Sequence, residues 1–231
     1  MKDQTASVAT DDHDVLDLFI MPGPAGADGV GLSTVPLVPE VSLHLADDAI
    51  VLRARLEAQR GAALPPPFWA DAWAGGQAVA RYVLDHPEIV AGRKVLDVAS
   101  GSGLVAIAAA MAGARNVTAN DIDPYALTAI ALNARTNGVA VEISRVDLLD
   151  GDSGDADVVL AGDVFYTDLL AERMLSFLHR AAARGARVLV GDPGRSYLPH
   201  DRLDVVATYQ VSMLGAPQDA QIRKVYVLEL R

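Results

Sequence analysis

The stretch RKVLDVASGSGLVAIAAAMAG, from Arg93 to Gly113, decides the fold. It opens with a short apolar run, passes through small residues and two glycines, and continues directly into an Ala-rich segment. This order predicts a strand, a tight turn and a helix. Glycines let a backbone approach a ligand closely, and a helix N-terminus presents free N–H groups. The stretch therefore predicts a site for a nucleotide-type cofactor.

The residues around this turn indicate which cofactor it binds. Gly101, Gly103 and Ala106 satisfy the relaxed dinucleotide fingerprint, and Asp121 stands where a ribose-binding carboxylate is expected. Those features alone favour NAD. Asp97 argues against NAD, because a carboxylate at the floor of the turn would repel a pyrophosphate but attract the ammonium and sulfonium of S-adenosylmethionine (SAM). Charge therefore favours SAM.

Length and composition indicate a single domain with a complete core. The chain has 231 residues, of which 51% are hydrophobic, and this is enough for one large α/β domain. A formal net charge of -11 opposes attraction to a phosphate backbone. We therefore expect no nucleic-acid partner, and we expect a monomer.

Several classes of protein are excluded by what the sequence lacks. Cysteine is absent and the histidines show no metal-ligand spacing, so we expect neither disulfides nor a metal site. The N-terminus carries acids rather than the basic flank of a targeting peptide, and no apolar run approaches the length of a membrane span. The sequence therefore predicts a cytoplasmic protein without a membrane partner.

The chain divides into three parts. Residues 1–34 are rich in Pro, Gly and Ala toward their end, which predicts a loop-rich or poorly ordered segment. Residues 35–90 form an N-terminal extension, with a strand over Val41–Leu45 and a helix over Ala49–Gln59. Residues 91–231 form the core, so that 35–231 is a single domain that contains the predicted SAM site.

The core alternates strands and helices and ends differently. After the opening strand, the sequence predicts a further six strands and two long helices. The last two strands have no predicted helix between them, so they must pair antiparallel. The fold class is therefore α/β: a Rossmann-like, seven-stranded, mostly parallel sheet with helices on both faces and an antiparallel C-terminal hairpin. The predicted strands are 117–120, 141–146, 158–161, 186–190, 203–213 and 221–230, and the predicted helices are 124–136 and 168–183.

Two tryptophans stand just before the core. Trp69 and Trp73 follow three prolines and precede Gly75-Gly76, which lead into an amphipathic helix. For Trp69, packing in the core and a role in the site are both open. For Trp73, beside the glycines and upstream of the cofactor strand, we expect a wall of the cofactor or substrate pocket.

Acids follow the predicted strands. Asp121 is free for ribose hydroxyls, because Asp123 before Pro124 already serves as the cap of the next helix. Asp147 follows the third strand, where it either accepts the adenine amino group or has no ligand. Asp163 follows the fourth strand and lies too far from Asp168 to cap the helix that begins there.

Three motifs carry a resemblance to a known family. They are PPFWADAWAGGQAVARYVLDHP, VLDVASGSG followed by NDIDP, and GDVFY followed by GDPGR. With them, the chain from about Val35 onward resembles the seven-β-strand SAM-dependent methyltransferases. Within these it resembles the protein-lysine methyltransferases that include the enzyme of the electron transfer flavoprotein β-subunit. The resemblance implies SAM as cofactor and a protein substrate, with that β-subunit as the expected one.

The resemblance also assigns roles to residues of the cofactor site. It implies that Gly101 and Gly103 wrap the methionine end of SAM and that Asp97 orders the contacts to its ammonium. It further implies that Asp121 holds the ribose. The remaining residues assigned to the cofactor are Asp147 near adenine, Trp73 in the pocket wall, and Gly162.

The acid-x-x-Tyr element gives the catalytic candidates, Asp163 and Tyr166. A carboxylate beside an ammonium would raise the pKa of a lysine, so we assign Asp163 to capturing and orienting the lysine while water takes the proton. Tyr166 would border the lysine channel. Ala99 stands where the family commonly has glycine, a change that is tolerable if its φ is negative. A small-molecule amine N-methyltransferase and a non-catalytic SAM-binding module are the alternatives.

Overall fold

The N-terminal part of the chain is a hairpin and a helix that lead into the core. In a computed structural model, which describes residues 29–212 and 222–231, strands β1 (Val30–Val35) and β2 (Val38–Ala46) pair antiparallel. Helix α1 (Ala49–Arg60) follows, capped by Asp48 and ended by Gly61 in a left-handed conformation. A 3-10 turn then leads to helix α2 (Ala74–Asp85).

Strand β1 corrects one prediction. It begins at Val30, inside the segment 1–34 that the sequence predicts as loop-rich, and for residues 30–34 that prediction is wrong. The physical reason is that β1 pairs with β2 along its length, and composition rich in Pro and Gly conceals pairing that comes from a neighbouring strand. Predictions for residues 1–28 and 213–221 lie outside the described residues.

Within the described residues, the core contains seven strands and three helices. The elements in chain order are β3 (Lys94–Val98), α3 (Leu104–Met111), β4 (Asn116–Asn120), α4 (Pro124–Thr136), β5 (Glu142–Ser144), β6 (Val158–Gly162), α5 (Asp168–Ala183), β7 (Arg187–Asp192), β8 (Leu203–Ser212) and β9 (Ile222–Leu230). The sheet has the order β5-β4-β3-β6-β7-β9-β8, with β9 antiparallel to both of its neighbours. The predicted fold class is therefore confirmed, including the antiparallel terminal hairpin.

Helices cover both faces of this sheet. One apolar cluster joins α2, α3 and α4 to the strands, and a second joins α5 to the opposite face. Strands β3 and β6 are buried throughout or nearly so, as expected for parallel strands covered on both sides. The carboxyl ends of β3, β4, β6 and β7 consequently meet at one edge of the sheet, where a ligand site is expected.

Asparagine side chains attach the N-terminal hairpin to the core. Asn137, the C-cap residue of α4, accepts a hydrogen bond from the Ser42 N–H and donates one to the Ser42 carbonyl, at 3.0 and 2.7 Å. Asn133, which is fully buried, accepts a hydrogen bond from the His44 N–H at 2.8 Å and donates one to the Ser102 carbonyl. The hairpin, α4 and the glycine turn are therefore held in one arrangement.

Candidate active site

The glycine turn between β3 and α3 adopts the backbone conformation that its residues predict. Gly101 and Gly103 have φ angles of 56° and 84°, which L-residues with a side chain rarely adopt. At Gly103 a Cβ would also lie 3.4 Å from Ile130 of α4. The turn therefore needs glycine at both positions, and it brings the N-terminus of α3 to the edge of the sheet.

Asp97 lies beneath this turn. Its side chain is buried, and its Oδ2 accepts hydrogen bonds from the Ser100 hydroxyl and from the Ala106 N–H, the latter at 3.1 Å. Burial raises the pKa of Asp97 to about 7, against the lowering effect of these two hydrogen bonds. Asp97 is therefore a carboxyl group that a cationic ligand would convert to its charged form.

Asp121 joins the glycine turn to the next strand. Its Oδ2 accepts a hydrogen bond from the Gly101 N–H at 2.8 Å, and its Oδ1 accepts one from the Asp123 N–H at 3.0 Å. Burial raises the pKa of the Asp121 carboxyl group. Asp123 caps α4 by accepting from the Tyr125 N–H, which confirms its predicted structural role. The structure thus brings the predicted ribose acid directly against Gly101.

The 3-10 turn Phe68–Ala70 lies over the glycine turn. A Cβ on Gly101 would be 3.8 Å from the Phe68 carbonyl oxygen and from the Trp69 Cα. Trp69 itself is buried and stacks on Tyr125, with the ring centroids 6.1 Å apart. Of the two open alternatives for Trp69, the structure places it in the core.

Three aromatic side chains form a half-exposed cluster beside this turn. The Phe68 ring lies 5.8 Å from the Trp73 ring and 5.5 Å from the Tyr166 ring, measured between centroids. The Trp73 indole N–H donates a hydrogen bond to the Phe68 carbonyl at 2.7 Å. Burial, together with the negative charge of Asp121, raises the pKa of the Tyr166 hydroxyl. Trp73 and Tyr166 are therefore brought together through Phe68, which the sequence analysis did not single out.

Asp163 occupies an unusual position after β6. It has a φ of 60°, a left-handed conformation that Asp and Asn tolerate better than most residues, and only 7% of it is exposed. Its Oδ2 accepts a hydrogen bond from the Gly76 N–H at 2.9 Å, and its Oδ1 pairs with Nη1 of Arg195 at 2.6 Å. Burial raises the pKa of Asp163, while Arg195 opposes that shift. The carboxylate is thus held at both oxygens.

Arg195 and Asp192 complete this cluster, although neither has a role predicted from the sequence. Asp192 ends β7 and is fully buried. Its Oδ2 lies 3.2 Å from Nη1 of Arg195, and its Oδ1 accepts from the N–H groups of Gly194 and Arg195. The motif GDPGR was the available signal, because an acid and an arginine three residues apart flank a Pro-Gly turn. Nothing in the motif itself showed that Arg195 reaches Asp163.

Glycines allow α2 to rest directly on the strand ends. A Cβ on Gly162 would lie 2.7 Å from the Gly76 Cα, and a Cβ on Gly191 would lie 2.0 Å from the Gly75 carbonyl oxygen. A Cβ on Gly75 would likewise lie 2.2 Å from the Gly191 carbonyl oxygen. A side chain at any of these three positions would therefore require movement of the helix or of the strand ends. Gly162, predicted as a cofactor-binding residue, therefore has a packing role in the structure.

Asp147 is separated from the buried part of the site. It is exposed, its Oδ2 pairs with Arg173 of α5 at 3.0 Å, and its Oδ1 accepts from the Leu149 N–H. The hydrogen bond from Arg173 lowers the pKa of the Asp147 carboxyl group. The buried side chain of Asn120 donates to the Ser144 and Val146 carbonyls and so fixes the chain that leads to Asp147. The adenine assignment of Asp147 stays a prediction.

Ala99 does not meet the condition under which alanine is tolerable at this position. That condition is a negative φ, but Ala99 has a φ of 54°. The cause is the tight path from β3 into the glycine turn, where the Ser100 N–H donates to the Asn120 carbonyl. Ala99 is exposed, so its methyl group meets no crowding, and the cost lies in the backbone conformation.

Away from the glycine turn, the described residues show a surface depression but no metal-binding group. A surface depression of about 420 Å³ lies beside the amino ends of β6 and β7, opposite the glycine turn. Within the described part of the chain, His, Asp and Glu side chains form no group of three or more that could hold a metal ion. Among residues 29–212 and 222–231, no helix combines the length and the apolar character that a membrane crossing requires.

Comparison with known proteins agrees with this geometry. The sequence model of the ribosomal protein L11 methyltransferase (PrmA) family matches residues 82–186. The crystal structure of magnesium protoporphyrin IX methyltransferase from Synechocystis PCC 6803 with bound SAM has a TM-score of 0.52. It is 14% identical and covers 96% of this chain and 92% of its own, which shows the shared fold. The fold is thus the one shared by Rossmann-like, seven-stranded methyltransferases.

Sequence relatives define the family more closely. The electron transfer flavoprotein β-subunit lysine methyltransferase of Rattus norvegicus is 42% identical over 167 residues, 71% of this chain and 64% of the relative. Its homologue in Caenorhabditis elegans is 34% identical over 180 residues, 71% of this chain and 73% of the relative. The chain belongs to the family of electron transfer flavoprotein β-subunit lysine methyltransferases. It spans 64% of the length of the rat protein.

Proposed function

We propose that the chain is a SAM-dependent protein-lysine N-methyltransferase and that its substrate is the electron transfer flavoprotein β-subunit. One observation carries the proposal: the turn Phe68–Ala70 borders both the glycine turn at Gly101 and the ring of Tyr166. The residues assigned to the cofactor and those assigned to the acceptor therefore lie on either side of one short turn. Membership of the family supports the same function.

The residues present fit SAM. Asp97 is a buried carboxyl group with a pKa raised to about 7, so the ammonium of SAM would offset the cost of its ionisation, whereas a pyrophosphate would add to that cost. Gly101 and Gly103 leave the backbone open to a ligand, and the Asp121 carboxylate lies against Gly101. We assign the methionine end of SAM to Asp97 and the two glycines, and the ribose to Asp121.

When bound, SAM supplies an activated methyl group from its sulfonium. The chain has to place a neutral amine in line with that group and give its proton a route to water. We assign Asp163 to orienting the amine and Tyr166 to bordering its channel. Tyr166 is 46% exposed and stands at the surface next to Phe68, where a lysine side chain from another protein can reach it.

The proposal extends to the partners, the oligomeric state and the cellular location of the enzyme. The formal net charge of -11 supports the absence of a nucleic-acid partner. We also propose a monomer and a cytoplasmic location, which light scattering and cell fractionation test directly.

A methylation assay tests the function. Purified chain is incubated with labelled SAM and with the electron transfer flavoprotein of the same organism, and in parallel with a lysate of a strain that lacks the gene. We expect label on a lysine of the flavoprotein β-subunit, identified by mass spectrometry, and heat of binding with SAM but not with NAD in calorimetry. Label on another protein would replace the substrate, label confined to small molecules would support an amine N-methyltransferase, and SAM binding without transfer would support a non-catalytic module.

A further inference from the structure

The turn after β7 contributes a cation to the site. Nη1 of Arg195 lies 2.6 Å from Asp163 and 3.2 Å from Asp192, so that one guanidinium group serves two buried carboxylates. The Arg195 side chain is 23% exposed, whereas Asp163 is 7% exposed and Asp192 is fully buried. A buried carboxylate that lost its cation would be strongly disfavoured. The three side chains therefore form one electrostatic unit at the acceptor side.

This unit bears on a difficulty in the proposed chemistry. An isolated Asp163 carboxylate beside a lysine would stabilise the ammonium, although transfer requires the neutral amine. We propose that Arg195 is a positioning residue for methyl transfer: it offsets the charge of Asp163 and fixes the direction of that carboxylate, so that Asp163 can orient a neutral amine. This inference rests on the function proposed above.

Arg195 is itself held in place, as a positioning residue must be. Asp192 accepts hydrogen bonds from the N–H groups of Gly194 and Arg195, both at 2.7 Å, and these bonds fix the backbone of the turn. The second oxygen of Asp163 is held by the Gly76 N–H at the start of α2. The Asp163 carboxylate therefore has a fixed partner on each side, and its orientation depends on Arg195.

The charged groups that face Asp163 determine the expected pH dependence. Burial raises the pKa of Asp163, the Arg195 guanidinium opposes that shift, and Asp192 adds to it; α2 contributes only the Gly76 N–H. Without Arg195, Asp163 either takes up a proton or keeps its charge and raises the pKa of the incoming lysine. Methyl transfer requires an ionised Asp163 together with a neutral amine. Without the Arg195 cation, both outcomes mean that this combination is reached only at a higher pH.

The test is the pH profile of kcat for Arg195→Met with the flavoprotein β-subunit as substrate. We expect a loss of about tenfold or more at about pH 7, shrinking to about threefold near pH 9.5, because a pKa rise of about one unit is a tenfold effect. The SAM affinity should stay within about twofold of the wild-type value, since the Arg195 side chain pairs with Asp163 and Asp192, neither of which is assigned to SAM. Arg202→Met is the matched control, because Arg202 forms an exposed pair with Asp201, and it should leave the profile unchanged.

Two further variants keep the inference testable if Arg195→Met folds poorly. In Asp192→Asn/Arg195→Met the unit keeps one net negative charge, and the amide can still accept from Gly194, yet Asp163 has lost its cation. We expect the same shift of the profile in this double variant. Arg195→Lys restores a positive charge and should return the rising part of the profile toward that of the wild type.

The outcomes separate the inference from the function on which it rests. A loss for Arg195→Met that is equal at every pH, or a profile in Arg195→Lys that is as displaced as in Arg195→Met, overturns the positioning role. Failure of the wild-type chain to methylate any lysine overturns the function itself. In that case the Arg195 variants would show no activity to compare, so the two failures cannot be confused.

Discussion

The Asp163 carboxylate accepts a hydrogen bond from the Gly76 N–H, at 2.9 Å, across 87 residues of sequence. Helix α2 has Trp73 at its N-cap position, and Trp73 provides no capping hydrogen bond. Asp163 therefore supplies the cap that the helix lacks, and the positive end of the helix dipole stabilises the carboxylate in return. Asp163, a catalytic candidate, thus also fixes the N-terminus of α2, which begins directly after Trp73.

The first prediction separates these two roles of Asp163. Asparagine tolerates the φ of 60° and can still accept from Gly76, so Asp163→Asn removes the charge while keeping the cap. We expect turnover to fall at least about tenfold because the amine is no longer oriented by a carboxylate, with SAM affinity within about twofold. The measurements are a methylation assay and calorimetric titration with SAM.

Asp163→Ala is the companion variant. It should show the same loss of turnover and, in addition, lower stability by about 1–2 kcal/mol, because it leaves Gly76 without a cap and places alanine at a positive φ. Wild-type turnover in Asp163→Asn would show that the charge has no part in the reaction and would remove Asp163 from the catalytic residues.

The second prediction concerns Gly162 and the close approach of α2. A Cβ at this residue would lie 2.7 Å from the Gly76 Cα, so Gly162→Ala must displace the helix or the strand end. We expect a loss of about 1–3 kcal/mol in the free energy of unfolding, measured in denaturant. Gly31→Ala is the control, because a Cβ at Gly31 would meet nothing within 4 Å. Unchanged stability with weakened SAM binding would return Gly162 to its predicted cofactor role.

Local signals in the sequence predict the helices of the core well. Helices α4 and α5 begin and end at the predicted residues, 124–136 and 168–183. Asp123 followed by Pro124 marks the first start, and Thr167, whose hydroxyl accepts from the Leu170 N–H, marks the second. Because the residues that form a cap lie within one helical turn of each other, a short stretch of sequence is enough to predict where such a helix begins.

The site depends on contacts that are not local. The exclusion of Asp163 as a cap of α5 is correct, but its partner at α2 is 87 residues away and no spacing rule points to it. Arg195 reaches Asp163 only because β6 and β7 are parallel neighbours whose turns meet at the same edge. Phe68 contacts Tyr166 for a similar reason, since its turn packs over the glycine turn. Sequence reasoning finds the acids and places them on one edge, but it does not pair them.

The third prediction follows from the strained backbone of Ala99. Left-handed φ values cost an alanine about 1–2 kcal/mol, and glycine avoids this cost but gains entropy in the unfolded chain. We therefore expect Ala99→Gly to raise the free energy of unfolding by about 0.5–1 kcal/mol, with SAM binding retained. Ala112→Gly is the control, because Ala112 has a φ of -76° and glycine there should lower stability. A loss of stability in both variants would mean that Ala99 is not strained.

The fourth prediction concerns the protonation of Asp97. Its folded-state pKa is about 7, above that of the unfolded chain, so its contribution to stability is complete at low pH and is lost as the pH rises through 7. An ammonium bound beside Asp97 favours the carboxylate, so binding of SAM near pH 7 should release about half a proton. Calorimetric titration in two buffers of different ionisation enthalpy measures this release.

Asp147→Asn should leave this proton release unchanged, because Arg173 already lowers the pKa of Asp147. Asp97→Asn should abolish the release along with much of the SAM affinity. Equal binding heats in both buffers for the wild-type chain would place the SAM ammonium away from Asp97.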